Sequence, residues 1–136
     1  MSVIEVQHFL DRARDFLQGM DLLKDDLTEF RFSSALLGIH GAISYCDALR
    51  TGMGSASVSS EDHQKASRDL RTLLEVRKSS NPQGVDRLER LLSKKSRIAY
   101  ATDMARENEI KQIVLDAKRF EAWAEAAGKE LRIEGW

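Results

Sequence analysis

The sequence predicts an all-α fold: an antiparallel up-and-down bundle of about five helices in one domain, residues 1–136. Three observations carry that prediction. There is a single proline, Pro82, in 136 residues, and proline costs about 3 kcal/mol inside a helix. Apolar residues recur every three or four positions through most of the chain. Val, Ile and Thr are thinly spread and never form the alternating runs that mark strands.

The elements follow in order. Ser2 and Glu5 stand in S-x-x-E spacing, a capping-box signature, and open a helix expected over Ser2–Lys24. Its stripe is Val3, Val6, Leu10, Ala13, Leu17 and Met20, opposite Asp11, Arg12, Asp15 and Asp21. The second helix, expected over Glu29–Arg50, is the least polar segment and so the central one. Ala35, Leu36, Ile39, Ala42, Ile43, Cys46 and Leu49 form its stripe, while Ser34, Gly38, Gly41 and Ala42 admit a close neighbour. The Gly/Ser-rich stretch Thr51–Ser60 reads as a loop. Ser59 and Asp62 offer caps for a third helix ending near Arg77, with Ala66, Leu70, Leu73 and Leu74 inward. Asn81 as N-cap and Pro82 at the first helical position open the fourth, expected to end near Ala101. Val85, Leu88, Leu91, Leu92, Ile98 and Ala99 face in. Thr102 or Asp103 caps the fifth, which reaches about Lys129 on a stripe running from Ile110 to Ala127. The tail, ELRIEGW, carries Leu131, Ile133 and Trp136 with no evident partner.

Composition narrows the function classes. Twenty-one basic against 22 acidic residues give a net charge of −1, which argues against a globally basic nucleic-acid binder. One cysteine excludes an internal disulfide framework and a cysteine-based zinc cluster. The early charges of MSVIEVQHFLDRARD do not resemble a signal peptide, and no apolar run is long enough to span a membrane. A cytoplasmic protein is expected. Charge is uneven along the chain: residues 1–30 hold three basic and seven acidic side chains, residues 60–101 ten and six.

No Gly-rich phosphate loop, G-x-S-x-G, H-E-x-x-H or C-x-x-C occurs. His40 and Asp47 lie two helical turns apart in the apolar second helix, with Ser44 between them. They suit either proton handling or a buried polar tie between helices. His63 stands at the start of the third helix, as a ligand contact or a cap. Cys46 reads as core. Lys95 falls beside the apolar face of the fourth helix, with Ser96, Arg97 and Tyr100 nearby. Such a lysine extends its head to water or pairs with an acid, Asp47 being one candidate. No metal or cofactor is expected.

The segments SALLGIHGAISYCDALRTGMG, DHQKASRDLRTLL and LERLLSKKSRIAYAT resemble bacterial proteins of the HEPN superfamily. The likeness rests on Ser34, Ala35, Leu37, Ile39, His40, Ala42, Ile43, Asp47, Ala48 and Leu49, then Asp62, His63 and Ala66, then Leu91, Leu92, Lys95 and Tyr100, and finally Ala117, Arg119 and Phe120. The resemblance spans residues 33–124. It implies a helical bundle that commonly forms a homodimer and acts on or near RNA or nucleotides. Some members are metal-independent RNases with an Arg-x-x-x-x-His motif; others pair with a nucleotidyltransferase-like protein, sometimes as toxin and antitoxin. Here no arginine precedes a histidine by five positions, and Lys95 and Tyr100 stand at the matching place. Lysine holds a phosphate less geometrically than arginine, and tyrosine, with an ordinary pKa of about 10, is a poor base at neutral pH. The expectation is therefore a noncatalytic module that binds RNA, a nucleotide or a partner protein through a cleft of the second to fourth helices. His40, Asp47, His63, Lys95, Arg97 and Tyr100 are its candidate residues. One alternative is an RNase with altered machinery, using His40 or His63 with Lys95 or Arg97. The other is a structural or oligomerisation subunit that uses the small-residue face of the second helix and the apolar tail.

Overall fold

A computed structural model describes residues 2–55, 62–78, 82–100 and 107–136, leaving the side chains of Ser2 and Tyr100 aside. The chain is the all-α bundle that the sequence predicts. Its helices are α1 (Ser2–Leu23), α2 (Leu27–Gly52), α3 (His63–Val76), α4 (Gln83–Tyr100) and α5 (Glu107–Glu130). Among the described residues no helix is long and apolar enough to cross a membrane.

The central position of α2 follows from its composition. It touches each of the other four helices, and a segment surrounded on all sides tolerates few charges. The small residues are used inside the chain. A Cβ on Gly41 would meet the Leu17 side chain of α1, and one on Gly38 would meet Met20 of α1 and Ala117 of α5. That face is therefore covered by α1 and α5, the close neighbours that its small residues admit, and it is not left for another subunit as the oligomerisation alternative supposed. Helix α2 starts two residues earlier than expected because Asp26 caps it, its carboxylate accepting from the Glu29 amide. Asp62 likewise caps α3, accepting from the Lys65 amide. The expected caps at Ser59, Asn81, Thr102 and Asp103 lie outside the described residues.

The order of contacts fixes the direction of each helix. Gly19 meets Leu37 and Gly41 meets Leu17, so α1 and α2 are antiparallel. Arg71 of α3 pairs with Asp86 and Glu89 of α4 while His63, earlier in α3, shares a cleft with Leu92 and Lys95, later in α4, and Arg90 and Arg97 of α4 pair with Asp116 and Glu109 of α5, so these pairs alternate too. Helix α3 instead runs in the same sense as α2. Cys46 donates to the Ala66 carbonyl, Arg50 reaches Asp69, and Met53 accepts from Arg77. The connection between α2 and α3 is long enough for this return, since an extended chain covers about 3.3 Å per residue and a helix rises only 1.5. The parallel pairing brings the start of α3 back to the middle of α2, beside His40.

The tail also departs from expectation. Ile133 is buried and fits against Gly52, and the Trp136 ring lies on Gly128 at a distance that a Cβ would close. Trp136 Nε1 donates to Glu125 Oε1 at 3.1 Å. The same carboxylate accepts two bonds from Arg14, at 2.9 and 3.0 Å, and one from the Tyr45 hydroxyl at 2.7 Å. This node ties α1, α2, α5 and the tail together. The Arg14 bonds hold Glu125 below the usual carboxylate range, while burial and the bond to Glu125 push the Tyr45 phenol well above its own. The apolar tail is thus the chain's own packing.

Candidate functional site

Helices α2, α3 and α4 enclose two charged clusters, one at each end of the α2–α3 contact. At the far end stands Arg50, whose side chain is 1 % exposed. Its Nε donates to Asp69 Oδ2 at 2.8 Å and its Nη1 to Asp47 Oδ1 at 3.2 Å. The Ser55 hydroxyl donates to the same Asp69 oxygen at 2.8 Å. A buried guanidinium must have its charge and its donors matched, and two carboxylates from two helices supply that. Asp69 is the more exposed of the two, and the hydrogen bonds from Arg50 and Ser55 outweigh burial and hold it below the ordinary range. Asp47 is more enclosed. Burial pushes its carboxyl up to about 6 although Arg50 opposes the shift. Asp47 thus pairs with Arg50 and not with Lys95, as the sequence had allowed.

At the near end lie His40 of α2, His63 at the first turn of α3, and Lys95 of α4. All three are half-buried. Burial pushes both imidazoles below their ordinary value, and the Lys95 ammonium pushes both further. His40 also acts on His63, while Asp62 works in the opposite direction. The Phe16 ring of α1 covers the other side of His40, with ring centres 6.0 Å apart. Among the described residues no carboxylate forms an ion pair with Lys95. In front of it opens a cleft of about 320 Å³ lined by Asp62, His63, Gln64, Leu92, Lys95 and Ser96. Behind His63, a tight crevice between Ile43, Cys46, Leu88 and Leu92 leads toward Asp47.

The candidate residues therefore divide. His40, His63 and Lys95 come together. Asp47 sits one layer deeper, turned toward Arg50. Arg97 leaves the site: it points to α5 and holds Glu109 with two bonds, at 2.8 and 3.1 Å. Tyr100 closes α4, and its side chain lies outside the described residues. Much of the basic run of α3 and α4 is similarly matched by carboxylates, through Arg71, Arg90 and Lys94. Cys46 is core, with its thiol pushed well up by burial. Sequence reasoning missed Arg50. Its signal was present: it is a charged residue near the end of the least polar helix, three positions after Asp47.

The chemistry open to the near-end cluster is anion binding. The Lys95 ammonium and the His63 imidazole line a cleft with polar and apolar walls, and His40 lies close enough behind them to act on His63. No protein-family model, curated protein or solved structure matches this chain.

Proposed function

We propose that this chain is a noncatalytic HEPN-like module that binds a phosphate-bearing ligand, RNA or nucleotide, in the cleft between α3 and α4. The observation that carries the reading is Lys95: a half-buried ammonium at the cleft, flanked by two imidazoles and without an ion-paired carboxylate among the described residues. Charges held partly out of water are ordinarily matched by opposite charge, and here a ligand phosphate supplies the match. The sequence resemblance points to the same ligand class.

The RNase alternative is less well supported. Acid–base cleavage calls for two groups whose pKa values are pushed apart, and both imidazoles are pushed the same way, by burial and Lys95. The oligomerisation alternative loses the two surfaces on which it rested, since α1 and α5 cover the small-residue face of α2 and the tail folds back on Gly52 and Gly128. A homodimer, or a complex with a nucleotidyltransferase-like protein, would use other surfaces.

The test is binding of a fluorescent oligoribonucleotide and of ATP by wild type and Lys95→Ala, across a salt series. Affinity should fall with salt and drop about tenfold in the variant, the loss of roughly one phosphate contact. Equal affinity of the two proteins at low salt would overturn the reading. RNA cleavage in EDTA that is lost in His40→Gln would replace it with the RNase alternative.

A further inference from the structure

The kind of phosphate follows from counting charge at the cleft, an inference that rests on the phosphate reading above. An internal phosphodiester carries one negative charge, and Lys95 alone balances it. A terminal phosphate monoester carries about −1.5 to −2 at pH 7. With such a ligand in place, no second cation among the described residues that line the cleft meets the second charge, but the His63 imidazole lies beside it, with His40 close enough to act on His63. We propose that the cleft selects a terminal phosphate monoester over an internal phosphodiester, and that a proton taken up on His40 or His63 meets the second negative charge.

Several features support this. The imidazoles lie on separate helices and converge on one cation. Lys95 makes a proton on either of them unfavourable, and a dianion in the cleft beside His63 and Lys95 reverses that sign. Among the described residues the charged groups facing the pair are few. Lys95 approaches from α4, and Asp62, which already accepts from the Lys65 amide, from the cap of α3. Asp47 lies behind His63 and is bonded to Arg50. From α1 the contact with His40 is the Phe16 ring, and the α1 cation Arg12 acts on Asp47 instead. The volume agrees as well: about 320 Å³ is at the small end for ligand pockets, which run from about 300 to 1,000 Å³. It suits a phosphate with part of its nucleoside.

The sign of the pH effect is fixed by this scheme. At pH 8 the free histidines are neutral and binding must bring in a proton from solution. Lowering the pH toward 7 supplies it, so affinity rises, by up to about tenfold per pH unit for one coupled proton. Below about pH 6 the phosphate itself takes up a proton and the gain ends.

Calorimetry with 5′-AMP and its monomethyl phosphodiester tests the proposal, at pH 7 and 8, in two buffers of different ionisation enthalpy. We expect 5′-AMP to bind about tenfold or more tightly than the methyl ester at pH 7, with net proton uptake, a difference of about 1.4 kcal/mol. His40→Gln with His63→Gln should remove both the preference and the uptake while circular dichroism stays helical. A 5′-phosphorylated RNA hexamer against its 5′-hydroxyl form identifies the source: a gain beyond 5′-AMP marks an RNA end, and none marks a free nucleotide. Equal binding of 5′-AMP and its methyl ester overturns the inference and leaves the phosphate reading standing. So does uptake that survives in the double variant but disappears in Asp47→Asn. Binding by none of the probes overturns the inference and the phosphate reading together.

Discussion

The two charged clusters along α2 and α3 are built from similar parts to opposite ends. At Arg50 the chain encloses a guanidinium almost completely and provides both carboxylates itself, with Ser55 holding one of them. At Lys95 it encloses an ammonium by half, sets two imidazoles beside it, and provides no ion-paired carboxylate among the described residues. Position within the fold accounts for part of the contrast. Arg50 lies where α2, α3 and the start of their connection close over it, and a buried charge there cannot stay unmatched. Lys95 lies at the opening between α3 and α4, where water can solvate the head group. The difference separates a charge that holds the fold from one that is available to bind.

Removing Arg50 should have the largest effect. Arg50→Ala leaves Asp47 and Asp69 facing each other without a cation and opens a large cavity. Breaking a buried pair from one side costs about 3–5 kcal/mol, much of the 5–15 kcal/mol that holds a typical domain. Urea denaturation should show a midpoint shift of that size or a chain that no longer folds. Arg50→Lys tests the geometry, because an ammonium cannot bond both carboxylates as the planar fork does. It should recover only part of the loss. A midpoint in Arg50→Ala within about 0.5 kcal/mol of wild type, the usual range for surface sites, would erase the distinction between the clusters.

A smaller, pH-dependent effect belongs to Asp47. Its carboxyl titrates at about 6 in the folded chain, against about 3.9 when unfolded. Between those values the folded state holds a proton that the unfolded state has lost, so the Asp47 contribution to stability falls as pH rises from about 4 to 6. Asn cannot ionise and keeps an oxygen for Arg50. Asp47→Asn should therefore gain on wild type across that window, by on the order of 1 kcal/mol. Urea curves for both proteins at pH 4 and pH 7 provide the check, and an identical difference at the two values would contradict it. Asp69 and Glu125, both held low, pull total stability the other way as pH falls, which is why the comparison must be with the variant.

How far the sequence reveals each region depends on the kind of information each one uses. The helices were legible because period and composition are local: most positions of the five stripes are buried where expected, from Val6 to Ala127, although Ala99 of α4 is exposed rather than inward. Of the six residues named as one site, His63 and Lys95 line one cleft and His40 lies near enough to act on His63. Other features depend on nonlocal pairing. The Asp47–Arg50 pair is an i,i+3 contact that the spacing within α2 already offers, but the second carboxylate, Asp69, depends on the level at which α3 meets α2. Arg97 looked equivalent to Lys95 two residues earlier, yet on a helix that step rotates a side chain by about 200°, here onto Glu109 of α5. The tail seemed to lack a partner because the surfaces it covers, Gly52 and Gly128, carry no side chain to announce a contact.

The smallest expected effect sharpens the comparison from the Lys95 side. A cation that holds no carboxylate contributes little to the fold. Lys95→Met, which keeps the length of the stem, should leave stability within about 0.5 kcal/mol of wild type. It should also raise the titration of His40 and His63, because a neighbouring cation no longer opposes the imidazolium. The rise should be partial, since burial is the larger cause of the depression at both residues and remains in place. Two-dimensional NMR of the imidazole carbon protons across pH 5–8 follows both titrations in one experiment. If the two move up together, Lys95 acts on them as one electrostatic unit at the cleft. If His40 alone moves, the cluster is a pair of Lys95 and His40, and the proposed proton uptake loses His63 as a partner of Lys95.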